Sequence, residues 1–386
     1  MLFTNIQHES LFVVSLPHRL ILSGLRILFL TYQGGMAGST LSITYLAKGL
    51  ADRGHEVYAG LRKEMPIWDL IEHPGIKRIP MRIKGKFDFQ NWGEIKQIAR
   101  QYDIDIINSQ SSHDRYTSLF AKKLFGLKCK VVHTRRQMPL SMGGPLQLYL
   151  YNHWADGIVA VSQQVKDRLA DLGIKNSRIE VIHNGTPKEK YQNIDQNLVQ
   201  QLKVKFNIAP KDFVLGCVSR PKNQIQILKA LKRIGTPLKM VFCGIEITPE
   251  FEEIISSYST KHEVYFEGPV NGKDILSYHE LFDAEILAST MEGLSQSLLE
   301  AMAIGTPVIA TAFAGNLDLI QDGENGLLFE DGDTIKIAEL IQQMRSNEEL
   351  RTNLRQKGRY TALEKFNIQN TINNYEKYFE RLIAKK

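Results

Sequence analysis

The sequence predicts two α/β domains, each built on a doubly wound parallel sheet, facing each other across a cleft. Three observations support this prediction. The chain has 386 residues, which exceeds the usual size of a domain with one hydrophobic core. Short apolar runs alternate with helical patterns along nearly all of it, as in successive βαβ units. A polar, turn-rich stretch at residues 184–205 separates two such series and is typical of an interdomain linker.

Each strand is predicted where a short apolar run lies between turn residues. The first series gives strands at residues 26–31, 56–60, 76–81, 104–108, 130–134, 157–161 and 179–182. The second series gives strands at residues 213–218, 238–243, 263–267, 284–288 and 307–310. Helices fill the intervals, and the first is predicted at residues 39–53, with Gly54 as its stop. Ligands bind at the carboxyl ends of the strands in such sheets, so the loops that follow strands are the candidate sites.

These patterns divide the chain into an N-terminal extension, two domains and a final helical segment, with bounds at residues 1–23, 24–185, 186–364 and 365–386. The extension is largely apolar, but Pro17 and Arg19 interrupt it and its first ten residues contain no Lys or Arg. A signal peptide needs a basic flank, and a membrane helix does not tolerate a proline and a charge at mid-span, so neither is predicted. An upstream start codon is the favoured explanation, and an interfacial membrane anchor is the alternative.

Composition and charge limit the class of protein and its partners. The hydrophobic content of 43% and the three widely spaced cysteines are those of a globular protein in a reducing cytoplasm.

The first 185 residues carry 24 Lys+Arg and 15 Asp+Glu, a net charge of +9, whereas the remainder has a net charge of −3. The N-terminal domain is therefore expected to meet an anionic partner, such as a phosphorylated acceptor or an anionic membrane surface. Nucleic acid is not predicted, because no binding signature accompanies the charge. The sequence does not predict an oligomeric state.

The most informative segment spans residues 291–310, where Glu292 and Glu300 bracket a turn and the start of a short helix. Gly293 and Ser295 are residue types of turns and helix N-caps, so free backbone N–H groups are expected to point outward there. Such a helix start binds phosphate, and the flanking carboxylates accept hydrogen bonds from hydroxyls. The pattern fits a ligand that carries both groups, such as a nucleotide-sugar.

Two further loops follow the first strand of each domain. Gly34 and Gly35 allow the backbone to approach a diphosphate or a sugar closely, although an ordinary βα turn is the alternative. The G-x-G-x-x-G fingerprint of dinucleotide sites does not occur there. Arg220 and Lys222 follow the first strand of the second domain, where two cations can neutralise a departing diphosphate.

Glu292 and Glu300, with seven residues between them, and the following residues 305–310 (GTPVIA) resemble the E-x7-E signature of retaining GT-B glycosyltransferases of family 4. The resemblance continues between residues 316 and 329. It implies the GT-B fold, in which the C-terminal domain binds a nucleotide-sugar and the N-terminal domain binds the acceptor. It also implies that the final helix, within residues 365–386, crosses back onto the N-terminal domain.

The resemblance assigns roles to the residues of these loops. Glu292 would hold hydroxyls of the donor sugar, and Glu300 would accept hydrogen bonds from the ribose hydroxyls. Arg220 and Lys222 resemble the family's Arg…Lys pair, at a shorter interval, and would stabilise the leaving diphosphate. The other implied donor-binding residues are Gly34 and Gly35 in the first loop, Gly268 and Val270 near the nucleobase, and Gly293, Leu294 and Ser295 at the helix start.

In the N-terminal domain, the strand at residues 104–108 leads to Gln110, at a position where family members often have a histidine close to the reacting sugar. His113, three residues on, is either a catalytic substitute for that histidine or a loop residue. The next strand ends at Arg135 and Arg136, in a segment similar to one that faces the acceptor in some relatives. Arg136 either binds an acceptor phosphate or forms a surface ion pair. Gln110, Arg135 and Arg136 are therefore the predicted acceptor-binding residues.

No metal site and no cofactor are predicted. The D-x-D patterns at residues 103–105 and 331–333 spell a metal signature of another glycosyltransferase fold. The first opens a strand and the second lies in a turn, so both are interpreted as structural.

The implied function is retaining transfer of a hexosyl group from a nucleotide-diphospho-sugar to a hydroxyl. By analogy with the family, the acceptor is a lipopolysaccharide, glycolipid or other cell-envelope glycan precursor, and the enzyme is cytoplasmic or peripheral on the inner membrane face. Two alternatives stay open. One is a sugar-nucleotide 2-epimerase, which would need no acceptor. The other is a degenerate nucleotide-binding module, favoured by the missing histidine at Gln110.

Overall fold

Two parallel sheets with helices packed on their faces form the part of the chain that the computed structural model describes, which is residues 24–35, 38–85, 87–139 and 144–385. The predicted extension at residues 1–23 lies outside these ranges. The first sheet contains β1 (Arg26–Thr31), β2 (Glu56–Leu61), β3 (Ile76–Pro80), β4 (Ile106–Ser109), β5 (Lys130–Arg135), β6 (Gly157–Ala160) and β7 (Ile179–Val181). The second sheet contains β8 (Val214–Val218), β9 (Lys239–Cys243), β10 (Glu263–Phe266), β11 (Ala284–Leu287), β12 (Val308–Thr311) and β13 (Leu327–Phe329).

Helices connect the strands of each sheet. Those of the first domain are α1 (Gly38–Asp52), α2 (Ile67–Leu70), α3 (Phe89–Gln101), α4 (Ser112–Phe125), α5 (Pro145–His153) and α6 (Gln163–Asp171). Those that follow are α7 (Gln196–Lys205), α8 (Ile225–Leu231), α9 (Pro249–Ser256), α10 (Ile275–Leu281), α11 (Gln296–Ile304), α12 (Asn316–Leu319), α13 (Thr334–Ser346), α14 (Glu348–Tyr360) and α15 (Ile368–Ala384). Among the described residues, no helix has the length and apolar character needed to cross a lipid bilayer.

The strand order places the two candidate sites opposite each other. The orders are β3-β2-β1-β4-β5-β6-β7 in the first sheet and β10-β9-β8-β11-β12-β13 in the second. In both sheets the order reverses next to the first strand, between β1 and β4 and between β8 and β11. Such a switch point opens a crevice at the carboxyl ends of the strands. The loops after these four strands carry most of the residues predicted to form the site.

The predicted fold class is confirmed, with one strand missed. All twelve predicted strands form, and the first helix lies one residue earlier than predicted. The missed strand, β13, has only three residues and pairs with β12 at the edge of the second sheet. A run this short after a Gly-containing turn gives no usable period, so only its pairing with β12 identifies it as a strand.

The final helix crosses back onto the first domain, as predicted. Tyr375 and Phe379 of α15 are fully buried in the core beneath α1. Glu376 accepts hydrogen bonds from Arg53 at 2.8 Å and His55 at 2.9 Å. The crossing chain runs beside the linker, because Thr186 N–H donates to the Phe366 carbonyl at 3.1 Å. The chain therefore passes between the domains twice, once in the linker and once before α15, and the two segments lie side by side.

Candidate active site

A cavity of about 660 Å³ lies in the cleft between the carboxyl ends of the two sheets. The first domain contributes lining residues from the start of α1 and the loop after β5, and the second contributes the loops after β8 and β11. The lining residues are Gly38, Ser39, Arg136, Gln137, Met138, Arg220, Pro221, Lys222, Met291, Glu292, Gly293, Leu294 and Gln296. The fold thus brings Arg220, Lys222, Glu292, Gly293 and Leu294 of the predicted donor site together.

The start of α11 faces this cavity. Ser295 is its N-cap, and its Oγ accepts a hydrogen bond from Leu298 N–H at 3.4 Å. The residues on either side, Leu294 and Gln296, line the cavity. The positive end of the helix macrodipole therefore points into the cleft, where it favours an anionic ligand.

Gly293 allows the two domains to approach each other. A Cβ at this position would overlap with the backbone carbonyl of Arg136 in the first domain and lie 3.2 Å from Val161 Cγ2. The carbonyl belongs to the main chain, so a side chain here would have to push the loop after β11 away from the loop after β5. The glycine that the motif places next to Glu292 thus has a packing role across the cleft.

Gly293→Ala is expected to lower turnover on the order of tenfold, because catalytic groups displaced by even a fraction of an ångström lose much of their effect. The thermal stability of each domain should change little, since the overlap lies between the domains. Steady-state kinetics and thermal unfolding test this. Gly272→Ala is the matched control, because a Cβ there would have no neighbour within 4 Å. Equal turnover in the two variants would contradict the packing role.

Lys222 and Glu292 form an ion pair between the loops after β8 and β11. The Lys222 ammonium and a Glu292 carboxylate oxygen are in direct contact, and both side chains are largely buried. Burial and the nearby charge of Arg220 lower the pKa of Lys222 to about 8. Arg220 itself is exposed. A phosphate in the cavity would compete with Glu292 for Lys222, because both side chains line the cavity.

Glu300 lies more than one turn further along α11 and is not a lining residue of the cavity. One of its carboxylate oxygens contacts Lys190 Nζ at 2.5 Å and the other lies 3.5 Å from His279 Nε2. Burial would raise the pKa of Glu300, but the adjacent His279 imidazole and Lys190 ammonium outweigh it and hold the pKa below its usual value. Glu300 is therefore an ionised, oriented acceptor.

Behind Glu300 lies a buried pair that the sequence analysis missed. His279 Nδ1 lies 2.5 Å from a carboxylate oxygen of Glu285, and both side chains are completely buried. Burial acts to lower the pKa of His279, but the Glu285 and Glu300 carboxylates raise it to about 9. The sequence feature that could have revealed this pair is Glu285, a charged residue within a strand that is buried on both faces. Such a residue needs a partner.

His279→Gln is expected to destabilise the protein by about 3 kcal/mol, because it leaves Glu285 buried without its cation. Since the pKa of His279 is raised by folding, its contribution is fully present below pH 6.5 and is lost as the pH rises through about 9. Urea unfolding at pH 6.5 and pH 10 measures both effects. The double variant His279→Gln, Glu285→Gln should recover part of the loss. Equal destabilisation at both pH values would show that the charge of His279 does not contribute.

The remaining predicted donor residues do not line the interdomain cavity. Gly34 is buried where a Cβ would overlap with Ile67, so its lack of a side chain serves packing against α2. Gly35 has open space around its Cα, and its carbonyl accepts from Thr40 Oγ1 at 2.6 Å. Gly268 follows β10 with φ of +58°, and Val270 is half-buried against the core. Their roles toward a donor stay predictions.

A second cavity, of about 300 Å³, lies in the first domain at the ends of β1, β4 and β5. It contains the three predicted acceptor-binding residues, Gln110, Arg135 and Arg136. The Gln110 amide oxygen accepts from Arg136 Nε at 3.0 Å, so the neutral side chain found in place of a histidine orients an arginine. His113 lines neither cavity and packs edge-on against Tyr32, with ring centroids 4.1 Å apart.

The two D-x-D patterns have structural contacts. Asp103 and Asp105 both bind the guanidinium of Arg26 at the start of β1, at 2.6 and 2.8 Å. Asp331 accepts from Asn223 Nδ2 at 2.9 Å, and Asp333 caps α13. Among the residues described, no three His, Cys, Asp or Glu side chains are grouped as metal ligands would be.

Comparisons with known proteins agree with this fold. The family model of Glycosyltransferase Family 4 matches residues 36–190, and that of Glycosyl transferases group 1 matches residues 200–361. N-acetyl-alpha-D-glucosaminyl L-malate synthase of Bacillus anthracis is 26% identical over 90% of this chain and 94% of its own. Alpha-monoglucosyldiacylglycerol synthase of Streptococcus pneumoniae is 26% identical over 78% of this chain and 73% of its own. The crystal structure of HepE from Anabaena in complex with UDP-glucose covers 92% of this chain and 100% of that chain, with a TM-score of 0.76 at 21% identity.

Proposed function

This chain belongs to the glycosyltransferases of family 4, with the GT-B fold, and we propose that it moves a sugar from a nucleotide-diphospho-sugar to a hydroxyl group with retention at the anomeric carbon. The observation that carries the proposal is the meeting of two cations, a carboxylate and a helix start around one interdomain cavity. A departing nucleotide diphosphate is the ligand that such a set of groups would stabilise.

The leaving diphosphate would be stabilised without a metal ion or cofactor. The transition state of sugar transfer separates a positive sugar ring from a negative diphosphate. Arg220, Lys222 and the start of α11 all face the cavity in which that charge would develop. Each well-placed charge or donor of this kind lowers the barrier by about 3–4 kcal/mol.

Donor binding would also rearrange the ion pair of the cleft. The diphosphate competes with Glu292 for Lys222, and a Glu292 carboxylate released from Lys222 can accept hydrogen bonds from the sugar hydroxyls. Glu300 would accept from the ribose hydroxyls, sharing its oxygens with Lys190 and His279. The binding of the nucleotide would thereby prepare the group that holds the sugar.

For the acceptor, we propose a hydroxyl of a cell-envelope glycan or glycolipid precursor. The names of the relatives support this class, because one of them is a glucosyldiacylglycerol synthase and others are named for capsular polysaccharide and lipopolysaccharide core biosynthesis. The excess of basic residues in the first domain favours an anionic acceptor or membrane surface in contact with it.

Proton NMR of the protein incubated with UDP-glucose and other nucleotide-sugars tests the proposal. We expect slow release of free sugar whose first-formed anomer is that of the donor, in the presence of EDTA. Formation of the other anomer first would contradict retention. An epimerised nucleotide-sugar would indicate the 2-epimerase, and unchanged nucleotide-sugars with intact nucleotide binding would indicate a degenerate binding module.

A further inference from the structure

The cavity of the first domain contains a cluster of three arginines, Arg115, Arg135 and Arg136. Arg136 is held by two neutral side chains, since it donates to Gln110 at 3.0 Å and to Asn184 at 2.6 Å. Arg115 Nε and Arg136 Nη2 are buried and have no hydrogen-bond partner among the described residues. The cluster therefore has two donors that are shielded from bulk water and not used by the described residues.

Two arginines of the cluster, Arg135 and Arg136, have no carboxylate partner in the part of the chain that the structure describes. The groups that act on the charges of Arg135 and Arg136 are a third arginine and tyrosines, and none is a carboxylate. Burial, together with the charge of Arg115, lowers the pKa of Arg135 to about 10. Gathering buried like charges in this way costs free energy that an anionic ligand would return.

The carboxylate next to Arg115 is already engaged. Asp114 accepts hydrogen bonds from the backbone N–H groups of Gln110 at 2.6 Å, Ser111 at 2.7 Å and Tyr32 at 3.0 Å. It thereby fixes the loop after β4 and the start of α4. Its charge acts on Arg115, whereas no carboxylate acts on Arg135 or Arg136, which stay available to an anionic ligand.

The arginine cluster lies next to the donor cleft. Ser39, Arg136, Gln137 and Met138 line both the 300 Å³ cavity and the 660 Å³ cavity, so a ligand in the first would touch a ligand in the second. The donor diphosphate already has Arg220, Lys222 and the start of α11 on the opposite side of the cleft. The arginine cluster is therefore available to the other substrate.

We propose that the acceptor carries an anionic group, a phosphate ester or a carboxylate, close to its reacting hydroxyl, and that Arg115, Arg135 and Arg136 bind this group. The proposal rests on the proposed function, since it names the chemistry of the acceptor. It adds Arg115 to the acceptor site and gives the charge of the first domain a specific purpose. It also explains the glutamine at position 110, which orients Arg136 without neutralising it.

Calorimetric titration of inorganic phosphate into protein already saturated with a nucleoside diphosphate tests the proposal, because the nucleotide occupies the donor site. We expect phosphate to bind wild-type protein and to bind about tenfold or more weakly to Arg115→Gln and to Arg135→Gln. The matched control is Arg100→Gln, which removes an exposed arginine of the same domain and should leave phosphate affinity unchanged. Nucleotide affinity should be the same in all four proteins, which also shows that the variants are folded.

Competition by small hydroxyl compounds then distinguishes the two anionic groups. Either sn-glycerol 3-phosphate or glycerate should displace phosphate, and neutral glycerol should not. The stronger of the two competitors identifies a phosphate ester or a carboxylate as the acceptor group. The proposal would be overturned if the nucleotide-saturated wild type failed to bind phosphate, or if Arg115→Gln and Arg135→Gln bound phosphate as tightly as the wild type does. If no nucleoside diphosphate bound, the proposed function itself would fail.

Discussion

Replacing Glu292 with glutamine is expected to lower turnover by about 10²–10³-fold while leaving nucleotide affinity equal to that of the wild type or slightly higher. The amide is a weaker acceptor than a carboxylate for the hydroxyls of the donor sugar. It also no longer holds Lys222 in an ion pair, so the cation is free to meet the diphosphate. Release of sugar from the nucleotide-sugar measures turnover, and calorimetry measures the affinity.

Glu324→Gln is the matched control for this variant, because it removes an exposed carboxylate of the same domain outside the cleft. It should behave as wild type in both measurements. Wild-type turnover in Glu292→Gln would end the assignment of Glu292 to the sugar. A large loss of nucleotide affinity would show instead that Glu292 supports the nucleotide.

Replacing Lys222 with methionine is expected to lower turnover by a similar factor, about 10²–10³-fold, but with a different effect on binding. Nucleoside diphosphate should bind more weakly and nucleoside monophosphate should be little affected, because Lys222 would meet the second phosphate. In the wild type, affinity for the diphosphate should fall as the pH rises through about 8 and Lys222 loses its proton. This pH dependence should be absent from Lys222→Met.

Lys222→Arg separates charge from geometry, since it keeps a cation that does not titrate in this range. Its diphosphate affinity should be independent of pH and closer to that of the wild type than the methionine variant's. If Lys222→Met kept the pH dependence of the wild type, another group would be responsible and Lys222 would not bind the diphosphate.

The meeting of Arg220, Lys222 and Glu292 at one cavity could be predicted from the sequence because these residues lie in two short loops. Arg220, Lys222 and Glu292 follow β8 and β11 directly, and the strand pattern alone places both loops at the same edge of one sheet. The residues that support Glu300 could not be found in this way. Lys190 lies in the linker, 110 residues before it, and His279 lies on α10, so only the folded chain brings them together.

The residues of the cavity in the first domain could also be predicted from the sequence only in part. Arg135 and Arg136 end a predicted strand and were expected at the sheet edge, whereas Arg115 lies one turn into α4 and has no motif of its own. Its burial and its position beside Arg135 depend on how α4 packs against the sheet. The sequence also could not predict where the His113 ring lies. The ring packs on Tyr32, and His113 lines neither cavity.

Calorimetric titration of the wild-type protein with UDP, GDP, ADP and CMP, once with EDTA and once with a divalent cation, tests the central claim most directly. The claim is that the interdomain cavity is a nucleotide-sugar donor site that uses Arg220, Lys222 and the start of α11 in place of a metal ion. It predicts saturable binding of one nucleoside diphosphate, undiminished by EDTA. The absence of binding by all four nucleotides, or binding that requires a divalent cation, would contradict it.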